Sequence, residues 1–307
     1  MSVTQKSVIA LCHPSGSCAE INLYGATVTS FYAANEPERN VLYVSKHAVL
    51  DGSKPIRGGI PLVFPVFGAA KGLPDHGFAR NFKWKATQVE QSGRKEDEHP
   101  STATFVLENS DEIKAMYPYD VTLVYEVKLF ANELITALSV QNKSEQEVTF
   151  HALLHTYLSV DDVREGRVRV EGLKGLRYLD KVLAEDGDKT EQTDALTVEQ
   201  ETDRIYINAP SSVVVRMQRL DDKKQQVVTI DKEACLKSSS TSDDPVSQNV
   251  DVVVWNPWID KAKSMSDFGD DEYLTMLCVE PGRVSEQQKL PGGHTYMLQQ
   301  NIRLSAL

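Results

Sequence analysis

The stretch Val121-Thr-Leu-Val-Tyr-Glu-Val-Lys-Leu-Phe130, followed after Ala131-Asn132 by Glu133-Leu-Ile-Thr-Ala-Leu-Ser-Val140, decides the fold class. Apolar and polar side chains alternate along the first run. At a period of two, that places one face of a strand in a core and the other in solvent. The second run repeats the pattern after a short break, so the two read as a hairpin. Outward from it, strand-like runs recur at residues 20–32, 40–45, 148–160, 213–220, 227–230, 251–255 and 275–279. Val, Thr, Tyr and Phe fill them, as a half-buried pleated surface prefers. Clusters of Gly, Pro, Asn and Asp separate them. Helical periodicity is confined to residues 110–115 and 260–268, each too short to cross over a parallel sheet. The expected fold is all-β: two large antiparallel sheets packed face to face as a sandwich, with few short helices.

A chain of 307 residues, 41% hydrophobic and 25% charged, has ordinary globular composition, which excludes disordered and fibrous classes. Residues 91–101 are charged and polar, and residues 238–248 are rich in Ser, Thr and Asp. Strand patterns resume on both sides of each, so both read as loops within a single domain over residues 1–307. Acidic residues number 44 against 33 basic, a formal charge of −11. That balance argues against nucleic acid or a membrane surface as partner, both being polyanionic, and leaves room for a focused basic pocket that takes a small anion. No run approaches the roughly 18 apolar residues of a membrane span. The first 18 residues hold only a short apolar run before His13-Pro14, so no secretory signal is expected. Cys12, Cys18, Cys235 and Cys278 show neither C-x-x-C nor zinc spacing and are expected to be reduced thiols of a cytoplasmic protein. The final Ser305-Ala306-Leu307 lacks the basic middle residue of the Ser-Lys-Leu peroxisomal address, so that organelle is the weaker expectation.

Several motifs are missing: G-x-x-x-x-G-K-[ST], G-x-G-x-x-G, G-x-S-x-G and H-E-x-x-H. Nucleotide phosphoryl transfer, hydride transfer and serine hydrolysis therefore have no support in the text of the chain. Arg57-Gly-Gly-Ile-Pro-Leu-Val-Phe-Pro65 begins with a cation and two glycines that allow close backbone approach, and its prolines bar a central strand. It suits a pocket wall with Arg57 at the mouth, or a buried connector whose Arg is merely ion-paired. Asp75-His76-Gly-Phe-Ala-Arg80 adds His76 and Arg80, donors fit for phosphate or sugar hydroxyls; Arg80 paired with Asp75 is the competing reading. His151 and His155 would share a helix face, but their surroundings are strand-like, where i and i+4 lie roughly 13 Å apart and cannot share one zinc. Cys278-Val-Glu280-Pro-Gly282 ends a strand-like run with a carboxylate before a turn. A partly buried Glu there can act as a base near neutral pH. Trp255-Asn-Pro-Trp258 offers either a stacking surface for a sugar or a core plug.

Taken in order, Arg57-Gly-Gly-Ile-Pro-Leu-Val-Phe-Pro65, His76-Gly-Phe-Ala-Arg80, His155-Thr-Tyr157, Glu201-Thr-Asp203, Trp255-Asn-Pro-Trp258 and Glu280-Pro-Gly282 resemble the glucose-6-phosphate 1-epimerases, the hexose-6-phosphate mutarotases of the aldose 1-epimerase superfamily. The resemblance covers residues 25–282 and implies a β-sandwich of large twisted sheets. It implies His155 as catalytic acid and Glu280 as catalytic base, with Arg57, His76, Arg80 and Asp203 binding substrate and the arginines favoured for the phosphate. Asp75 stands at a position that contacts substrate in some relatives, where it is Gln; the acidic residue departs from that pattern. The implied reaction interconverts the α and β anomers of a hexose 6-phosphate, with D-glucose 6-phosphate first. It needs no metal and no cofactor, and a monomer is expected. Ring opening takes the proton from the anomeric hydroxyl and gives one to the ring oxygen. That asks for an ionised Glu280 and a protonated His155 on opposite sides of the ring. Two other readings stay open. A non-catalytic sugar-binding module on the same sandwich would not need both His155 and Glu280. A mutarotase of uncharged aldoses would not need the arginines.

Overall fold

The alternation of the 121–140 hairpin is realised residue by residue. Val121–Leu129 and Glu133–Asn142 pair antiparallel from Val121↔Asn142 to Leu129↔Leu134. Val121, Leu123, Tyr125, Val127 and Leu129 are buried, while Val124, Glu126 and Lys128 are partly exposed. The structure is a computed structural model and describes residues 7–93, 99–183, 189–238 and 244–306. Parts of two expected loops (94–98 and 239–243) and of both chain ends (1–6 and 307) lie outside the described residues.

Around the hairpin a ten-stranded sheet runs Ala195–Leu196, Val168–Glu171, Ser212–Gln218, Gln225–Ser238, His294–Ala306, Glu133–Asn142, Val121–Leu129, Ser101–Leu107, Lys85–Glu90, with Val246–Gln248 also on Gln225–Ser238. An eight-stranded sheet runs Lys189–Thr190, Arg177–Asp180, Thr202–Tyr206, Asp251–Asn256, Met276–Leu290, Val148–Leu154, Leu62–Val63, with Tyr157–Ser159 also on Met276–Leu290. Val8–Cys12, Cys18–Asn22 and Thr27–Tyr32 form a third, smaller sheet.

The two large sheets bury their apolar faces against each other, giving the expected sandwich. Phe150, Val252, Val254, Leu277 and Val279 of one share a core with Leu123, Tyr125, Leu138, Leu298 and Ile302 of the other. The rings of Phe150 and Tyr296 meet across the interface at 5.5 Å. One polar chain crosses between the sheets: Thr156 Oγ1 donates to Gln300 Oε1 at 2.9 Å, and Gln300 Nε2 to Thr136 Oγ1 at 3.2 Å. No described helix is long and apolar enough to cross a membrane.

Four local expectations change. Residues 40–45 form no strand, only isolated bridges at Leu42↔Leu158 and Val44↔Gly58. The Asn40 carboxamide oxygen accepts from Phe31 N and Leu42 N, so a side chain takes the place of a ladder partner. Residues 20–32 split at Gly25-Ala26, both at positive φ (70° and 46°). The 238–248 segment is not all loop, since Val246–Gln248 pairs with Ala234 to Leu236. The helices form at Asp111–Met116, where the Ser110 hydroxyl caps Ile113 N, and at Trp258–Ser264.

Candidate active site

Strand register brings the candidate residues together. Along Met276–Leu290, Leu277 and Val279 enter the sandwich core, which turns Cys278 and Glu280 to the opposite face of the eight-stranded sheet. Val252 and Val254 likewise face the core, while Val253 and Trp255 face outward. Asp203 pairs with Trp255, Trp255 with Cys278, and Val253 with Glu280. The pairings Tyr157↔Cys278 and Leu153↔Gly282 belong to one register, whose continuation sets His155 across from Glu280. Neighbouring strands thus lay Asp203, Trp255, Glu280, His155 and Tyr157 side by side on the outer face.

Glu280-Pro281-Gly282 therefore lies inside a 15-residue strand rather than at a turn, correcting the expectation. Val279 N donates to Thr156 O at 3.1 Å. Pro281, two residues on, presents its missing donor where Val148–Leu154 gives way to Tyr157–Ser159, so no ladder bond is lost there. Gly282 lies so close to the neighbouring strand that a Cβ would sit 2.9 Å from Ala152 O.

The Arg57 segment owes its path to its glycines. A Cβ on Gly59 (φ 69°) would lie 2.0 Å from Val28 O, and one on Gly58 (φ 124°) 2.4 Å from Val44 Cα. Leu62–Val63 follows as an edge strand, the only place the flanking prolines allow. Arg57 Nε donates to both carboxylate oxygens of Asp267 at 3.2 Å, and Nη1 to Tyr157 Oη at 3.3 Å.

These elements enclose a cavity of about 440 Å³ whose lining includes Arg57, Asp75, His76, His155, Asp203 and Glu280. Arg80 is not in the lining. It is buried behind Asp75, donating from Nη2 to the Asp75 carbonyl at 2.9 Å and reaching its carboxylate at 3.4 Å, so the Asp75-paired alternative is the one realised. His151 is outside as well, its Nδ1 accepting from Phe67 N at 3.3 Å. The Trp pair divides: Trp255 lines the cavity, and Trp258 packs on Tyr273 at 5.2 Å. Lys181 and Lys261 also line the cavity, and neither stands in a motif that could have marked it. Lys181 lies 4.5 Å over the Phe67 ring and 3.8 Å from Asp203. Lys261 sits on the Trp258–Ser264 helix, which periodicity marked only as a helix.

His155 Nδ1 and Glu280 Oε2 are 3.3 Å apart. They are not aligned as a hydrogen bond, and neither atom has another hydrogen-bond partner among the described residues. The imidazole stacks on Tyr157 at 4.7 Å with planes 9° apart, which holds its orientation. Burial raises the Glu280 carboxyl well above its ordinary value, and the Asp203 charge adds to this. Burial lowers His155 well below the ordinary imidazole value, reinforced by His76, Arg80 and Arg57. The pair expected as carboxylate and imidazolium is thus favoured as carboxylic acid and neutral imidazole, because both charges lose their hydration. His76 accepts from Gly68 N on Nδ1 at 3.2 Å, leaving its proton on Nε2. Burial, then Arg80, lower its pKa to about 3, so it stays neutral. One nitrogen, one sulfur and one oxygen of His155, Cys278 and Glu280 lie within 4.8 Å of one another, close enough to hold an ion by distance.

A family model described as aldose 1-epimerase matches residues 7–303. A protein of Cenchrus ciliaris is 35% identical over 296 residues, covering 94% of this chain and 82% of its own. One of Escherichia coli K12 is 32% identical over 301 residues, covering 97% and 90%. Both carry the name "Putative glucose-6-phosphate 1-epimerase". The crystal structure of a "putative mutarotase" from Salmonella typhimurium superposes with a TM-score of 0.80 at 28% identity, covering 98% of this chain and 90% of that one.

Proposed function

The chain belongs to the aldose 1-epimerase family, and from that premise we propose that it interconverts the α and β anomers of a hexose 6-phosphate, D-glucose 6-phosphate first, by general acid–base ring opening and closure. The observation that carries this reading is the 3.3 Å approach of His155 to Glu280 in a cavity lined by Arg57, Lys181 and Lys261. The anomeric hydroxyl and the ring oxygen are bonded to the same carbon. An acid and a base standing side by side can therefore serve both at once, and the opposite-sided arrangement expected from the sequence is not needed.

Glu280 takes the anomeric proton while His155 protonates the ring oxygen. The ring opens to the aldehyde, the C1–C2 bond rotates, and the two transfers reverse on the other face. Opening leaves Glu280 protonated and His155 neutral, which is the state a dry pocket favours. Carboxylate with imidazolium and carboxylic acid with imidazole hold the same number of protons. The closed enzyme therefore reaches its reactive form by passing one proton from Glu280 to His155, 3.3 Å away, and ring opening returns the pair to the favoured form without net proton uptake. Because the uncatalysed reaction already proceeds in water, a barrier reduction on the order of 5–8 kcal/mol is enough.

In this reading Arg57, Lys181 and Lys261 meet the phosphate, and His76 Nε2–H and Asp203 hold hydroxyls. Arg80 acts from behind, bracing the Asp75-His76 turn, and Asp75 stands at the rim. One chain supplies every group of this reading, which supports a monomer, and a sugar phosphate as substrate supports the cytoplasm. The test is kcat/KM for glucose 6-phosphate against glucose, in wild type and Arg57→Ala. The reading expects a strong preference for the phosphate ester that shrinks about 10–100-fold in the variant. Equal turnover of both sugars in the wild type would instead assign an uncharged-aldose mutarotase, and no turnover of either a binding module.

A further inference from the structure

Two cysteines with no recognisable spacing in the sequence meet in the folded chain. Cys12 ends the strand Val8–Cys12, Cys18 opens Cys18–Asn22, and the two are directly paired. The next pair toward the turn is bonded, His13 N donating to Ser17 O at 2.9 Å. Cys12 N–H and C=O point the other way, to Gln91 Oε1 and Ser101 Oγ. Cys12 and Cys18 therefore occupy a non-hydrogen-bonded site of the antiparallel ladder, where facing side chains come closest. The Cys18 thiol donates to Cys12 Sγ at 3.0 Å. Cys12 is exposed and Cys18 half-buried, so a reagent reaches Cys12 first. No residue of this sheet lines the cavity.

We propose that Cys12 and Cys18 form a reversible dithiol–disulfide site, oxidised by low-molecular-weight disulfides such as glutathione disulfide, that staples the N-terminal hairpin. The Cys12 thiolate attacks one sulfur of glutathione disulfide, and the first glutathione leaves as a thiolate that takes up the proton Cys12 lost. The Cys18 thiolate then attacks Cys12 Sγ, the mixed disulfide breaks, and the second glutathione leaves with the proton from Cys18. Two protein thiols are oxidised to one disulfide, and one small disulfide is reduced to two thiols. Burial and the neighbouring Cys12 push the Cys18 thiol up to about 11. The closing attack is therefore slow at neutral pH and faster in mild alkali.

The bond joins residues already in register, so closure requires no shift of either strand and restricts mainly the unfolded chain. The third strand of the sheet accepts through Val28 O from Ile60 N at 2.9 Å, beside the Arg57-Gly-Gly segment. The staple lies apart from the His155–Glu280 pair, since no residue of its sheet lines the cavity.

The test incubates the full chain with glutathione disulfide and reads intact mass, peptide map, thermal midpoint and sugar turnover, with Cys12→Ser and Cys18→Ser alongside. The inference expects a mass lower by two hydrogens, a cross-link between the peptides holding Cys12 and Cys18, and reversal by dithiothreitol. It also expects Tm a few degrees higher with turnover unchanged, and only a glutathione adduct in each variant. A stable glutathione adduct on wild-type Cys12 without closure, an unchanged mass, or a cross-link through Cys235 or Cys278 overturns it. Because mass and peptide map do not depend on turnover, this outcome is separate from that of the mutarotase reading.

Discussion

Glu280 is 1% exposed and its Oε2 has no hydrogen-bond partner among the described residues, so its carboxyl weakens the fold wherever it is asked to ionise. Its folded pKa lies well above the ordinary 4.5, so the folded chain keeps a proton that the unfolded chain releases. Stability from this group is full below the unfolded value and is lost as pH rises toward the folded one. Glu280→Gln removes that loss. Thermal unfolding should show the variant more stable than wild type by about 1–3 kcal/mol near pH 8 and by less near pH 5; equal differences at both would contradict the buried-acid account. In the proposed mechanism the same displaced pair sets the pH–rate profile. The active proton count is lost to acid only below the lowered His155 value and to alkali only above the raised Glu280 value. A plot of kcat, for which the phosphate is already bound, should therefore run flat through about 6.5, where an ordinary histidine would break it. The sequence made His155 and Glu280 visible as residue types, but alternation could not choose His155 over His151, since both share a face. What separates them is the register with a strand more than a hundred positions away. Lys181 and Lys261 carried no motif, and only the fold brings them to the cavity.

Among the elements, the Arg57-Gly-Gly segment is the most constrained. Gly59→Ala would place a methyl 2.0 Å from Val28 O at a φ of 69°. Urea unfolding should report a loss of about 2–4 kcal/mol, accompanied by a raised KM for the phosphate ester because the backbone that carries Arg57 must move. A variant with wild-type stability and KM would show that the close approach is not needed. Elements with clean alternation were legible, the 121–140 hairpin above all, because one face meets the core and the other meets water. Met276–Leu290 was legible only at its start. Its second half reads Arg283-Val-Ser-Glu-Gln-Gln-Lys289, with a register irregularity between Arg283 and Gln288, and Pro281 looked like a terminator because the ladder gap it faces is a tertiary feature. Residues 40–45 have strand composition, but their backbone donors go to scattered partners, Val41 N to Phe31 O, Tyr43 N to Tyr157 O and Ser45 N to Arg57 O, and Leu42 N goes to the Asn40 side chain.

For the whole molecule, we read residues 1–307 as a single domain, since one buried cluster takes in side chains from Leu11 to Leu304. A formal charge of −11 surrounds a cavity lined by Arg57, Lys181 and Lys261. In the proposed function such a focused site attracts an anionic sugar against the overall field. Raising ionic strength from about 0.05 to 0.5 M should lower kcat/KM for glucose 6-phosphate several-fold and leave that for glucose nearly unchanged; parallel declines would remove the cationic cavity from the account. Fold class was readable because it rests on periodicity, and the reaction was suggested by motifs in order. The arrangement of acid beside base was not, being a product of strand pairing. The most direct measurement is the rate of α to β exchange of glucose 6-phosphate by NMR magnetisation transfer, with wild type and Glu280→Gln at equal concentration. The account expects exchange well above the protein-free rate for wild type and a fall of about 100- to 10,000-fold in kcat/KM for the variant; undiminished exchange in Glu280→Gln would contradict it.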